Sequence, residues 1–402
     1  MLTSRRAADR AVDQGRPLPR WVKTTVRRWG WSDLSSLVRT IAALGPDVVH
    51  LQYQTAAFAM HPAIATLPLW LRAVTRDGAR PRFVTTFHDL RPPYLFPKAG
   101  PARHIPVALL AATSDAVVLT TPEQRSAPPL RLLDRFRVGL AARLAYIPIG
   151  ANVEPTVPRR SHFGSAAAAD RPLLVYFGFP NHSKGVDTLL AALARVRLHH
   201  PSVQLVLLGG GVGDSDPTNR AYADELHALV GALDLTAAVT WTGFLSPTEI
   251  SRWLQAADLC VLPFRDGATW QRGSLLAALA HACPIITTHP PSRSPALPLS
   301  RPPAVPPTPS HPHTLTLSHS GLGPGGEKYP SLRHGENVWL VPPDDPVELA
   351  RAVDALLTDG ERRAALGRAA RSTAAYFSWE TIAARHLSLY ANLIERSETT
   401  SS

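Results

Sequence analysis

Two cysteines and two methionines are all the sulfur in a chain of 402 residues. Cys260 and Cys283 each lie in an apolar run where a free thiol behaves as a small hydrophobe, so neither a disulfide framework nor a cysteine metal site organises the chain. Long apolar runs are missing too. Nothing reaches the roughly 20 residues that a membrane-spanning helix needs, and no apolar stretch follows the basic residues Arg5 and Arg6, which argues for a cytoplasmic protein without a secretory leader. Acidic residues are scarce at one end only. Residues 1–150 hold 21 Lys and Arg against 9 Asp and Glu, whereas the remainder holds 21 against 22, so the whole excess of +11 is amino-terminal. Such asymmetry suits an anionic partner: nucleic acid, an anionic membrane surface or a phosphorylated substrate. No nucleic-acid recognition motif accompanies the charge, and that class is set aside.

What is present is a globular composition, 45% hydrophobic and 18% charged, on a chain too long for one comfortable core. Two domains follow. Residues 1–32 are basic and aperiodic and receive no fold. A helix over about Asp33–Leu44 stops at Gly45, and Asp47–Tyr53, Phe83–Phe87, Ala116–Thr120 and Ala145–Pro148 read as strands. The proline-dense stretch 91–106 reads as a loop, and Ile149–Asp170 reads as a linker. From Leu173 onward strand, loop and helix alternate more regularly: strands Leu173–Phe177, Val203–Leu208, Val239–Thr242, Leu259–Phe264 and Val338–Val341. Units of this size predict doubly wound parallel sheets with ligands at the carboxyl ends of the strands. Residues 289–330 break the pattern with twelve prolines in forty-two positions and read as a disordered insertion.

The stretch from Val261 to Thr288 concentrates the chemistry. A buried strand passes through a polar loop to Gly273-Ser274, which opens a small-residue apolar helix. Glycine allows close approach of a ligand, serine is a preferred cap, and the amides behind them suit a phosphate.

Four stretches then carry a resemblance: GFPNHSKGVDTLLAAL (178–193), TGFLSPTEISRWLQAADLCVLPF (242–264), HGENVWLVPPDDPVELARAV (334–353) and FSWETIAARHLSLY (377–390). Together they resemble glycosyltransferases of the GT-B fold, similar to the family 4 retaining enzymes. The resemblance implies an α/β architecture of two Rossmann-like domains facing a cleft. Residues 1–150 would form the acceptor-side domain, 151–170 the linker, 171–378 the donor-binding domain with its insertion at 289–330, and 379–402 a terminal helix and tail crossing back. Relatives begin with a central strand and a glycine-rich loop that nothing in residues 1–46 resembles, so the first domain is expected to lack its first strand.

By position, Lys184 would contact the donor diphosphate and His88, in FVTTFHDL (83–90), would face the reacting sugar. Gly273, Ser274 and Leu275 would offer backbone donors to phosphate. Glu336 and Asn337 read as a structural turn. The family's two glutamates, eight residues apart, fall on Thr269 and Ala277, so Asp266-Gly267 becomes the candidate acidic contact in a lengthened loop. The arginine usual after the glycine of the lysine loop is Phe179, and Arg272 is its candidate replacement. The resemblance thus implies a metal-independent, retaining transfer from a nucleotide-sugar donor to a glycan or lipid-linked acceptor, without cofactor. The basic half fits a peripheral anionic membrane contact at the inner face. A non-catalytic sugar-nucleotide-binding paralogue, or a decayed GT-B protein, is the alternative.

Overall fold

The computed structural model describes residues 1–5, 8–9, 18–75, 80–92, 100–156, 171–209, 217–290 and 329–401. Two compact units emerge, one comprising Met1–Pro148, Ser320–Tyr329 and Ala383–Ser402, the other Ile149–His319 and Pro330–Ile382.

The first unit is built on four parallel strands, β3 (Val48–Tyr53), β4 (Arg82–Phe87), β5 (Ala116–Leu119) and β6 (Leu144–Tyr146), in that order across the sheet. Every residue of β5 is buried, as expected of a strand covered on both faces, while β3 at the rim is only half-buried. The Trp31–Leu44 helix turns Leu34, Leu37, Val38 and Ile41 inward at helical spacing and ends on Gly45 in the left-handed region at φ 54°. Residues 1–32, given no fold from sequence, supply β1 (Leu2–Ser4) and β2 (Lys23–Val26), which pair with each other in a separate sheet. Three- and four-residue strands are too short for periodicity to register. Among the described residues no strand pairs with the outer edge of β3.

The second unit carries six parallel strands: β7 (Leu173–Phe177), β8 (Gln204–Leu208), β9 (Val239–Trp241), β10 (Leu259–Leu262), β11 (Ile285–Thr288) and β12 (Trp339–Val341). Their order is β12-β11-β10-β7-β8-β9, so the direction of winding reverses between β7 and β10. At such a reversal the loops leaving two neighbouring strands diverge and open a crevice for a ligand. Helix Val186–Val196 packs Val186, Leu189, Leu190, Leu193 and Val196 into the core, and helix Pro247–Ala256 opens with a reciprocal cap between Ser246 and Glu249.

Both sheets use one local device. Asp115, just before β5, accepts from the Phe83 amide at 2.7 Å and returns its own N–H to the Phe83 carbonyl at 2.7 Å. Asp258, just before β10, accepts from the Leu173 amide at 2.8 Å and donates to the Leu173 carbonyl at 3.0 Å. A charged acceptor on the first ladder amide is stronger than a neutral one and pins strand register from its start.

The insertion expected at 289–330 lies outside the described residues except for its two ends, as do 157–170 of the linker, 93–99 of the proline-dense loop, and Gly210 and Gly211. No described helix is long and apolar enough to cross a membrane.

Candidate functional site

The loop after β7 and the loop after β10 meet at the reversal of the second sheet. Gly178 leaves β7 with φ 143°, and a short 3-10 turn, His182–Lys184, is capped by the Asn181 side chain, which accepts from the Ser183 amide at 3.1 Å. Gly185 follows in the left-handed region at φ 63°, and a Cβ built there would lie 2.2 Å from the Pro263 carbonyl oxygen. Only glycine lets the lysine loop lie directly on the end of β10.

Arg265 fastens the two loops. Its amide donates to the Ser183 carbonyl at 3.0 Å, its Nη1 donates to the His182 carbonyl at 3.0 Å, and its Nε donates to Asp344 Oδ1 at 2.6 Å. A further ion pair joins it to Asp187, whose other carboxylate oxygen accepts from the Tyr222 hydroxyl at 2.7 Å. A planar guanidinium can serve all these partners at once because its donors fan out in a fixed plane.

On this frame Lys184 and Arg272 both lie against one aromatic ring. The Lys184 ammonium lies 5.0 Å, and the Arg272 guanidinium carbon 4.7 Å, from the centre of the fully buried Phe264 ring. The ring quadrupole attracts each cation, while the cations repel one another. Burial first and Arg272 second, with Asp266 opposing, bring the Lys184 ammonium down to about 8. Asp266 is ion-paired with Arg272 through Nη2. Among the described residues Arg272 Nε has no hydrogen-bond partner, nor has the Tyr176 hydroxyl near the end of β7, 3.4 Å from where a Cβ on Gly178 would stand; both atoms are buried. Buried polar atoms are rarely left so, and an unengaged donor on a buried guanidinium suits a polar anionic ligand.

Helix Gly273–Ala280 completes the arrangement. Its cap position is Arg272, not Ser274, and the Arg272 side chain makes no capping hydrogen bond. Sequence placed serine at the cap by preference, but the extended residue before the helix is Arg272, and Ser274 falls one residue inside. Gly273, Ser274 and Leu275 therefore form the first turn, whose N–H groups have no carbonyl within the helix to bond. Gly267 turns the intervening loop at φ 83°. Ala277 is buried at 1% exposure, and its methyl side chain can accept no hydrogen bond. Asn337 makes the structural turn read from sequence: its side chain accepts from the Arg333 amide at 2.8 Å and donates to the Ser331 carbonyl at 3.0 Å. Among the described residues no group of three or more His, Cys, Asp or Glu is arranged to hold a metal ion.

His88 belongs to the first unit, at the carboxyl end of β4, where its Nε2 donates to Gln52 Oε1 at 2.7 Å. Burial lowers its affinity for a proton, with His386 acting the same way and Asp89 opposing.

Sequence reasoning missed Phe264, Arg265 and Tyr176. Phe264 and Tyr176 look like ordinary core residues of apolar runs, and only the assembled loops reveal the ring as a cation platform. Arg265 had a weak signal: a charged residue directly after a buried strand is at the mouth of the sheet.

Residues 171–296 match the family model of glycosyl transferases group 1. The chain is 27% identical to a D-inositol 3-phosphate glycosyltransferase of Xylanimonas cellulosilytica over 87% of its own length and 73% of the relative's. It is 26% identical to a GDP-mannose-dependent alpha-(1-6)-phosphatidylinositol monomannoside mannosyltransferase of Mycobacterium tuberculosis, covering 61% of this chain and 55% of that one. In fold it is similar to HepE of Anabaena, solved in complex with UDP, with a TM-score of 0.61 at 18% identity across 98% of this chain and 88% of the other.

Proposed function

We propose that this chain, a glycosyltransferase of the GT-B fold, moves a sugar from a nucleoside diphosphate to an acceptor hydroxyl with retention of anomeric configuration and without a metal. One observation carries the proposal: Lys184 and Arg272 against one aromatic ring, beside a helix start that its cap residue's side chain leaves open, where the sheet reverses. As the bond from the anomeric carbon to phosphate breaks, negative charge grows on the departing diphosphate. Lys184, Arg272 and the amides of Gly273, Ser274 and Leu275 stabilise it in place, each such contact being worth about 2–4 kcal/mol in a transition state. The acceptor oxygen bonds the anomeric carbon from the face the phosphate leaves, and its proton passes to the departing phosphate oxygen. His88 bonds a hydroxyl of the transferred sugar. Asp266 and Gly267 lie on the loop that meets the sugar, and Asp266 releases Arg272 to the phosphates as the donor seats.

The acceptor we propose is anionic, either a phosphorylated polyol or a lipid-linked sugar. Its support is the charge of residues 1–150 and the names of two relatives, which act on an inositol phosphate and a phosphatidylinositol glycan. Exposed Trp21, Trp31 and Trp70 beside this charge suit a peripheral anionic membrane. Sedimentation with anionic vesicles should exceed that with neutral ones at low salt, and equal binding to both removes the membrane contact.

Calorimetric titration with UDP, GDP and ADP tests the donor site. Lys184→Ala should lose at least tenfold in affinity for whichever nucleotide binds, and turnover should fall more steeply; unchanged binding removes the main support. The buried Ala277 in place of a glutamate favours a second reading, a sugar-nucleotide-binding protein without turnover. Tight donor binding with no transfer to any acceptor would identify it.

A further inference from the structure

The segment 150–156 is tied down within the second unit at both ends. At one end the Trp379 Nε1–H donates to the Ala151 carbonyl at 2.8 Å, and a Cβ built on Gly150 would fall 2.7 Å from the indole, so glycine lets the ring rest directly on the backbone. At the other end the Thr156 amide donates to Ser251 Oγ at 2.9 Å, and the Thr156 carbonyl accepts from Gln255 Nε2 at 2.7 Å. Between these ties Ala151 and Val153 are buried at 7% and 5% exposure, while Asn152 is exposed. Burial of both neighbours leaves the Asn152 side chain on the open side of the segment. There it reaches the phosphate helix: a Cβ on Gly273, the first residue of helix Gly273–Ala280, would stand 3.7 Å from Asn152 Nδ2, at contact distance.

The amide is not spent on the protein. Among the described residues Asn152 makes no hydrogen bond, although asparagine is a preferred capping residue and the amides of a first helical turn stand beside it. If capping were its task, its oxygen would accept from one of them. A carboxamide carries a donor and an acceptor, and a phosphate oxygen, which only accepts, engages the donor end whichever way the amide is turned in the free chain. A neutral donor also suits this place better than a third cation would. Burial and then Arg272 already loosen the hold of Lys184 on its proton, and another positive charge nearby would loosen it further.

We infer that Asn152 is a donor-binding residue, its Nδ2 bonding an oxygen of the diphosphate at the start of helix Gly273–Ala280. The inference rests on the donor site proposed above and adds to it a contact from outside the two loops at the reversal of the sheet. It carries a signed consequence for Asn152→Asp. In the ligand-free chain the new carboxylate is favoured by the positive end of the helix and can accept from its first amides. Toward a diphosphate it offers no donor and repels. Stability is therefore kept or gained where affinity is lost, a combination that damage to the segment would not produce.

Calorimetric titration of the full chain with UDP, GDP and ADP, beside melting curves of the ligand-free protein, tests this. Asn152→Ala should weaken binding of whichever nucleotide the wild type binds by about tenfold, the size of one hydrogen bond to a charged group. Asn152→Asp should weaken it by roughly a hundredfold, while the ligand-free melting temperature holds or rises. Three results overturn the inference: affinity within about twofold of wild type in Asn152→Ala, binding by Asn152→Asp no worse than by Asn152→Ala, or a loss of affinity accompanied by a lower ligand-free melting temperature in both variants. Lys184→Ala separates this contact from the wider reading. If Lys184→Ala loses affinity and the Asn152 variants do not, the donor site stands and the contact falls. If the wild type binds none of the three nucleotides, both fall.

Discussion

Gly185→Ala puts the meeting of the two loops under direct strain. The new Cβ would stand 2.2 Å from the Pro263 carbonyl oxygen, at a backbone φ of 63°. Nonbonded heavy atoms settle at roughly 3.5 Å, so one loop must yield by about 1 Å. The obstacle is a backbone atom at the end of a buried strand, which cannot swing aside as a flexible side chain would. Left-handed backbone costs an alanine about 1–2 kcal/mol, and a forced shift in packed surroundings adds about 1–3 kcal/mol. Gly335→Ala separates the two terms, since Gly335 has φ 74° and nothing within 4 Å of its would-be Cβ. Urea unfolding should therefore show Gly185→Ala less stable than Gly335→Ala by about 1–3 kcal/mol. A shift of about 1 Å at Lys184 also misplaces a charge aimed at the diphosphate, a displacement that costs up to about a hundredfold in rate. Calorimetry should show nucleotide affinity falling in Gly185→Ala and holding in Gly335→Ala. Equal stabilities of the two variants, with affinity intact in both, would refute the claim that glycine is there to let the loops touch.

Three further outcomes follow from charge and burial. Only protonated Lys184 attracts the diphosphate, and its free-state value of about 8 is raised by a bound anion, so affinity should hold below pH 8 and fall above it, by at most about tenfold per unit; titrations at pH 7 and pH 9.5 with equal affinity would contradict this. Arg265→Met strips the fastening from His182, Asp187 and Asp344 and should cost roughly 1–2 kcal/mol in urea unfolding, discounted for the partial exposure of the pairs. It should also weaken nucleotide binding in calorimetry although Arg265 need not touch the ligand. His50 stays neutral to about pH 3 in the folded chain whereas an unfolded histidine takes a proton below about 6.5. The unfolded state then binds more protons, so stability should fall as pH drops from 6.5 toward 3, and thermal melts of His50→Gln should show a flatter decline.

Much of the fold was legible because long elements announce themselves. The inward face of Trp31–Leu44 and the uniformly apolar β5 and β10 follow from period and composition alone, and Asp115 and Asp258 can be seen standing just ahead of matching apolar runs. Strands β1 and β2 were not legible, since so few residues carry no period and their order comes from pairing with each other. Of the site, Lys184, Arg272 and Gly273 could be named because a resemblance and a loop position marked them. The Phe264 platform and the Arg265 fastening could not, because each depends on residues far apart in sequence arriving at one place: Arg265 reaches Asp187 and Asp344 from seventy-eight and seventy-nine positions away.

The position of β7 also governs how the second unit can be assembled on the ribosome. The strand is synthesised early and finds β8 soon after, but its other neighbour comes 85 residues later, the separation between Leu173 and the Asp258 that catches it. Until then a nascent half-sheet shows a bare apolar flank, LLVYF, to whatever is nearby. Slow closure of such distant pairs is the price of parallel topology, and it makes the interval before β10 emerges the moment at which a chaperone is of most use to this chain.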